Sequence, residues 1–135
     1  MMGVQDGPDR PRRVALVEDE PNIREALRFI LSRAGWRPFV IGDGATAAER
    51  LAEDPPDAAI LDVMLPGRSG FDVLRALRAD PATAALPVLM LTARGQDKDR
   101  ALALALGADD FMTKPFSNAE VVERLDTLAR APQAN

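Results

Sequence analysis

Apolar positions along this chain alternate between short, nearly unbroken runs and longer stretches that repeat every three to four residues. The runs predict strands over Arg13–Val17, Phe39–Ile41, Ala58–Leu61, Val88–Leu91 and Asp109–Met112. Between the first two, Ile23, Ala26, Leu27, Ile30 and Leu31 recur at helical spacing, with Pro21 suited to the first helical position and Gly35 to the stop. A short helix is predicted over Ala45–Glu53, ended by Pro55 and Pro56. The loop Met64–Ser69 leads into a helix that turns Phe71, Val73, Leu74 and Leu77 inward, and Arg100–Leu106 forms another, stopped at Gly107. Ser117-Asn118-Ala119-Glu120 has the capping-box pattern, Ser117 capping and Glu120 reaching back, ahead of a last helix burying Val121, Val122, Leu125 and Leu128. Strand and helix in alternation predict an α/β domain. The third and fourth strands are apolar at almost every position, which places them centrally, covered on both faces.

Composition narrows the chemistry. At 135 residues the chain fits one domain, expected over residues 13–131, with a disordered segment over 1–12 and a short tail over 132–135. No linker toward a further domain is visible after Arg130. A net charge of −4 supplies no basic footprint, so direct nucleic-acid binding is not expected. Cysteine and histidine are both absent. That excludes disulfides, a thiol nucleophile, an imidazole base and a phosphohistidine carried by this chain itself. No apolar run approaches the ~20 residues of a membrane span, and the polar start has no signal-peptide core, so a cytoplasmic location is expected.

Four strand ends carry the candidate chemistry: Glu18-Asp19, Asp62, Thr92 and, just past the fifth strand, Lys114. In a parallel α/β sheet ligands bind outside the carboxyl ends of the strands, so these distant residues converge. Clustered carboxylates repel unless a cation joins them, and an oxygen-only donor set suits Mg²⁺. Asp62 is the expected nucleophile, able to form an aspartyl phosphate once the charges around it are neutralised. Of Glu18 and Asp19, one would hold Mg²⁺ directly and the other through water, and the main-chain carbonyl of Met64 would complete the set. Thr92 would donate its hydroxyl to a phosphoryl oxygen, and Lys114 would place positive charge on another. A cis Lys114–Pro115 bond would turn the chain sharply and aim that ammonium inward. Singly, each residue has a plainer reading as turn former, helix-terminus charge, cap or solvated cation. Jointly, their order at successive strand ends favours the site.

The motifs Val17-Glu18-Asp19-Glu20, Leu61 to Gly67, Leu91-Thr92-Ala93 and Gly107 to Phe116 resemble those of receiver domains of two-component response regulators. The resemblance runs from about Arg13 to Arg130. It implies a flavodoxin-like, doubly wound, five-stranded parallel sheet in the order 2-1-3-4-5. It also implies Mg²⁺-dependent phosphoryl transfer from a histidine kinase to Asp62, in a switch that assists its own phosphorylation and dephosphorylation without being a turnover enzyme. The lifetime of the phosphoryl group in that family depends partly on the side chains at the Met64 and Arg94 positions. An aromatic on the fifth strand swings inward in the same family; Phe111 matches it, without a tyrosine's hydroxyl. The last two helices and fifth strand are most like those of receivers attached to winged-helix DNA-binding domains. There the resemblance implies a homodimer with cross-subunit pairs, Arg100 with Glu120 and Asp110 with Arg124, around Leu102, Ala105 and Leu106.

Three rivals are weighed against this. Gly42-Asp43-Gly44-Ala45-Thr46-Ala47 fits a dinucleotide-binding fingerprint, but begins at the second strand and leaves the four strand ends unexplained. An aspartate-nucleophile phosphatase of the haloacid-dehalogenase type wants a second Asp at position 64, where this chain has Met. A phosphorylation-independent interaction module would share the fold without using the site.

Overall fold

The computed structural model describes residues 11–130. Strands β1 (Arg12–Val17), β2 (Trp36–Ile41), β3 (Ala58–Leu61), β4 (Val88–Thr92) and β5 (Asp110–Thr113) alternate with helices α1 (Pro21–Arg33), α2 (Ala47–Glu53), α3 (Gly70–Ala79), α4 (Asp97–Ala105) and α5 (Asn118–Arg130). All neighbouring strands pair in parallel, in the order β2-β1-β3-β4-β5, the doubly wound arrangement expected. Of the segment expected to be disordered, only Pro11 and Arg12 are described, and Arg12 opens β1. The remainder, like the expected tail, lies outside the described residues. Among the described residues no helix is long and apolar enough to cross a membrane.

Strand side chains alternate between two cores, as a period of two requires. Ala15, Val17, Ala59, Leu61, Val88 and Met90 face α2, α3 and α4, meeting Leu51, Leu74, Leu77 and Ala103. Val14, Leu16, Ala58, Ile60, Leu89 and Leu91 face the other way, onto Leu27, Ile30 and Leu31 of α1 and Val121 and Leu125 of α5. Every residue of β3 and β4 is buried, the double-sided cover their apolar runs predict.

The boundaries differ where polar residues serve structure. β2 starts at Trp36, three residues before the predicted Phe39. Pro38 is tolerated because β2 is an edge strand, and Trp36 is held by Nε1–H donating to Asp126 Oδ1 (2.9 Å), with the Arg12 guanidinium over its ring (4.3 Å). α2 begins at Ala47 rather than Ala45, and β5 at Asp110 rather than Asp109. α4 begins at Asp97, not Arg100, because Asp97 and Asp99 suit a helix N-terminus. At α5, Ser117 Oγ accepts from the Glu120 N–H (3.3 Å), but the Glu120 carboxylate accepts from Arg124 Nη2 (2.8 Å) instead of reaching back. Ala26, expected on the core face of α1, is exposed.

Gly70 ties this packing to the site. Its N–H donates to Val63 O (2.8 Å), and a Cβ there would overlap the Asp62 carbonyl oxygen and lie 2.8 Å from Val63 Cα. Both obstacles are main chain and cannot turn aside. Gly70→Ala is therefore expected to cost roughly 1–3 kcal/mol, as overpacked sites do, read as a lower urea midpoint. An unchanged midpoint would show that α3 shifts freely.

Candidate functional site

Val17 ends β1 beside Leu61, which ends β3, so Glu18 and Asp62 emerge from the sheet as neighbours. The Asp62 N–H donates to Val17 O (3.1 Å) and the Glu18 N–H to Ile41 O (3.2 Å), continuing the ladders one step beyond the strands. Both carboxyls are buried, at 3% exposure for Glu18 and 4% for Asp62, whereas Asp19 is exposed. One oxygen from each of Glu18, Asp19 and Asp62 lies within 4.8 Å of the others.

Lys114 arrives from β5. Its N–H donates to Thr92 O (2.9 Å), the bond to Pro115 is cis as expected, and Nζ stands 2.9 Å from Glu18 Oε1 and 3.0 Å from Asp62 Oδ2. The second oxygen of each carboxyl accepts from main chain, Glu18 Oε2 from the Glu20 N–H and Asp62 Oδ1 from the Met64 N–H, each at 3.1 Å. Burial pushes the Glu18 carboxyl above its usual range, only partly offset by the hydrogen bond from Lys114. For Lys114 burial pulls the other way, but hydrogen bonds to Glu18 and Asp62, with their charges, outweigh it and hold its pKa above the ordinary lysine value. The ammonium therefore stays charged.

These groups line an open cavity of about 530 Å³ with Glu20, Pro21, Met64 and Ala93. Met64 is 58% exposed at its mouth. Thr92 is fully buried just behind Ala93, its Oγ1 accepting from the Arg94 N–H (3.1 Å), which leaves the hydroxyl proton free to be donated. A larger groove of about 640 Å³ runs between α1 and α5, around Phe29, Val122 and Asp126. It holds none of the strand-end groups, so the smaller cavity is where the chemistry converges.

The structure thus brings Glu18, Asp19, Asp62, Met64 and Lys114 around one space, while Thr92, buried next to Ala93 in the chain, is not among the residues that line it. On the β5 side, Phe111 is already inward, 1% exposed, with Arg100 Nη1 donating to its carbonyl (3.2 Å). Arg124 pairs with Asp110 (2.9 Å) and Glu120 (2.8 Å) inside the chain. Leu102 and Ala105 are exposed, but Leu106 packs against the core. The Gly42–Ala47 stretch is a turn into α2. Asp43 Oδ1 accepts from the Thr46 N–H (2.9 Å), and the Gly44 N–H donates to Pro66 O (2.9 Å), with the Arg68 main chain where a Cβ would go.

Asp99 escaped the sequence reading, and with it the ion pair it makes. It is 2% exposed and pairs with Arg94 Nε (3.1 Å). A signal existed: Asp99 stands four residues before buried Ala103, on the inward stripe of α4.

Residues 14–126 match the family described as the response regulator receiver domain. The chain is 44% identical over 119 residues to the phosphate regulon transcriptional regulatory protein PhoB of Escherichia coli K12, covering 88% of this chain and 52% of that protein. It is 43% identical over 122 residues to the transcriptional regulatory protein GltR of Pseudomonas aeruginosa, covering 90% and 50%. The chain spans about half the length of these curated relatives. Among solved structures, the BeF3-activated N-terminal receiver domain of Klebsiella pneumoniae RstA is similar with a TM-score of 0.82 and 30% identity, over 88% of this chain and 99% of that one. The receiver domain of a Pseudomonas aeruginosa sensor histidine kinase gives 0.83 and 29%, over 90% and 99%, and has a magnesium ion coordinated in its active site cleft. With strand order, matched residues and transcriptional-regulator relatives in agreement, the chain belongs to the response regulator receiver domain family.

Proposed function

We propose that this chain is a phosphoacceptor switch that takes a phosphoryl group from a histidine kinase onto Asp62 and signals through α4, β5 and α5. The observation that supports it best is the Lys114 ammonium seated between Glu18 and Asp62, with the Asp19 carboxylate alongside. Three carboxylates against one ammonium leave negative charge that a divalent cation would neutralise, and an all-oxygen donor set fits Mg²⁺. Glu18, Asp19, Asp62 and the Met64 carbonyl would hold it. Bound there, the ion would supply positive charge against the acceptor carboxylate and the phosphoryl oxygens.

In the transfer step an Asp62 carboxylate oxygen bonds to phosphorus while the donor's phosphorus–nitrogen bond breaks, its electron pair returning to the imidazole. Lys114, already on Asp62 Oδ2, would follow the charge onto a phosphoryl oxygen, and the Thr92 hydroxyl would donate to another. Hydrolysis by water restores the carboxylate, so the chain assists its own phosphorylation and dephosphorylation and is no turnover enzyme. The inward Phe111, with Arg100 on its carbonyl, links this chemistry to the α4-β5-α5 face. Arg124's pairs with Asp110 and Glu120 are part-exposed, worth ~0–1 kcal/mol each, and would give way at little cost to the cross-subunit pairs Asp110 with Arg124 and Arg100 with Glu120 in a homodimer.

Incubation with acetyl phosphate and Mg²⁺ should add the mass of one phosphoryl group, and no addition at saturating donor would end the proposal. Separately, Mg²⁺ at about ten times its dissociation constant should raise the melting temperature by the equivalent of roughly 1.4 kcal/mol. A Glu18→Gln, Asp19→Asn double variant should lose that shift; an equal shift in the variant would move the metal elsewhere.

A further inference from the structure

Asp99 is a buried charge that phosphoryl transfer does not use. It lies in the first turn of α4 with Oδ1 on Arg94 Nε at 3.1 Å, and its Oδ2 is buried with no hydrogen-bond partner among the described residues. A carboxylate out of water is costly unless paired, so Arg94, itself half exposed, is held far more firmly than the cation of a surface pair. Were the guanidinium to leave, it would strand a buried charge.

Arg94 stands next to the site. It follows Ala93, which lines the acceptor cavity, and its N–H bonds the Thr92 hydroxyl oxygen. Beyond it, Gly95 packs closely on the Thr113 methyl, where a Cβ would overlap it. What remains free to choose a direction is the guanidinium. Asp99 draws it toward α4, and its carbon lies 5.9 Å from the centre of the Phe71 ring on α3.

We propose that Asp99 is a positioning residue which tethers Arg94 outside the acceptor cavity and thereby limits the lifetime of the phosphoryl group on Asp62. The inference rests on Asp62 being the acceptor. In the loss step a water oxygen bonds to phosphorus, the phosphorus–oxygen bond to Asp62 breaks, and the water's proton leaves with inorganic phosphate. A guanidinium released into the cavity would pair with the phosphoryl oxygens, often through two bonds, and cover phosphorus from water.

The test loads the chain with acetyl phosphate and Mg²⁺, removes the donor, and follows acyl-phosphate decay by intact mass. Asp99→Asn removes the charge and keeps the shape; its half-life should be roughly ten- to a hundredfold longer, the scale of one additional charge-assisted hydrogen bond. Adding Arg94→Ala should return the half-life to the parent's, which a merely structural role would not do. Asp99→Leu, which also removes the charge, should behave as Asp99→Asn does, should the latter fold poorly. An unchanged half-life in the folded variants, or a lengthened one that persists without Arg94, overturns the tether while leaving the acceptor in place. A parent chain that never gains a phosphoryl group overturns both.

Discussion

Asp62→Asn is expected to abolish phosphoryl uptake from acetyl phosphate, by on the order of a thousandfold or more in rate, while the domain stays folded. The loss follows because an amide oxygen carries no charge to bring to phosphorus. Retention of the fold follows from the local hydrogen bonds. The Asn carbonyl can still accept from the Met64 N–H, and Lys114 keeps Glu18 at 2.9 Å. Removing one of three crowded carboxylates also relieves repulsion, so the melting temperature without metal should not fall. Intact mass and a thermal melt on the same sample separate the two effects. Labelling that persists in the variant would transfer the acceptor role to another carboxylate, and Asp19, the exposed member of the cluster, would be the first to substitute. Steady release of phosphate from an ester substrate would instead favour the phosphatase reading, which Met64 makes poorly equipped for a second acid.

The site was legible because each of its parts sits where an apolar run stops. Val14–Val17, Ala58–Leu61 and Val88–Leu91 carry the signal of strands buried on both faces, and the polar residues after them gain meaning from that position. β2 was harder. Arg37 and Pro38 break its apolar pattern, and only the edge position, which relaxes the hydrogen-bonding demand on Pro38, admits them. Trp36 is buried through a hydrogen bond to Asp126, 90 residues away, a contact no local pattern contains. The start of α4 failed for the opposite reason: Asp97-Lys98-Asp99 looks like a solvated charge run, yet Asp99 faces inward and is compensated by Arg94 from the preceding loop. The residues that resemblance assigns to cross-subunit pairs also have contacts within the single chain. There Arg124 satisfies both Asp110 and Glu120, and Arg100 turns to a main-chain carbonyl. Motif spacing encodes which strand end a residue occupies; it does not encode which of several nearby charges it will choose.

Lys114→Met should damage the site twice, and the two effects respond differently to metal. With the ammonium gone, Glu18 and Asp62, both nearly buried, face each other without compensation. Breaking a buried pair from one side costs about 3–5 kcal/mol, and the open cavity puts this case near the lower figure. In metal-free buffer the deficit has a definite pH sign. Burial already holds the Glu18 pKa above its ordinary value of 4.5, and losing Lys114 raises it further. A carboxyl whose folded pKa is raised contributes stability that is complete below the unfolded value and lost as pH rises through the folded one. The variant should therefore unfold most easily near neutral pH and approach the parent as pH falls toward 4.5. Mg²⁺ should restore much of the stability at neutral pH, since a divalent cation can take over the compensation of the carboxylates. It should not restore phosphorylation, because the charge that Lys114 carries to the phosphoryl oxygen has no substitute from the metal side of the cavity. Recovery of the melting temperature with uptake from acetyl phosphate still severely slowed is the expected result. Full recovery of both would reduce Lys114 to a counter-ion, and recovery of neither would mean that the substitution destroys the packing after β5 rather than a charge.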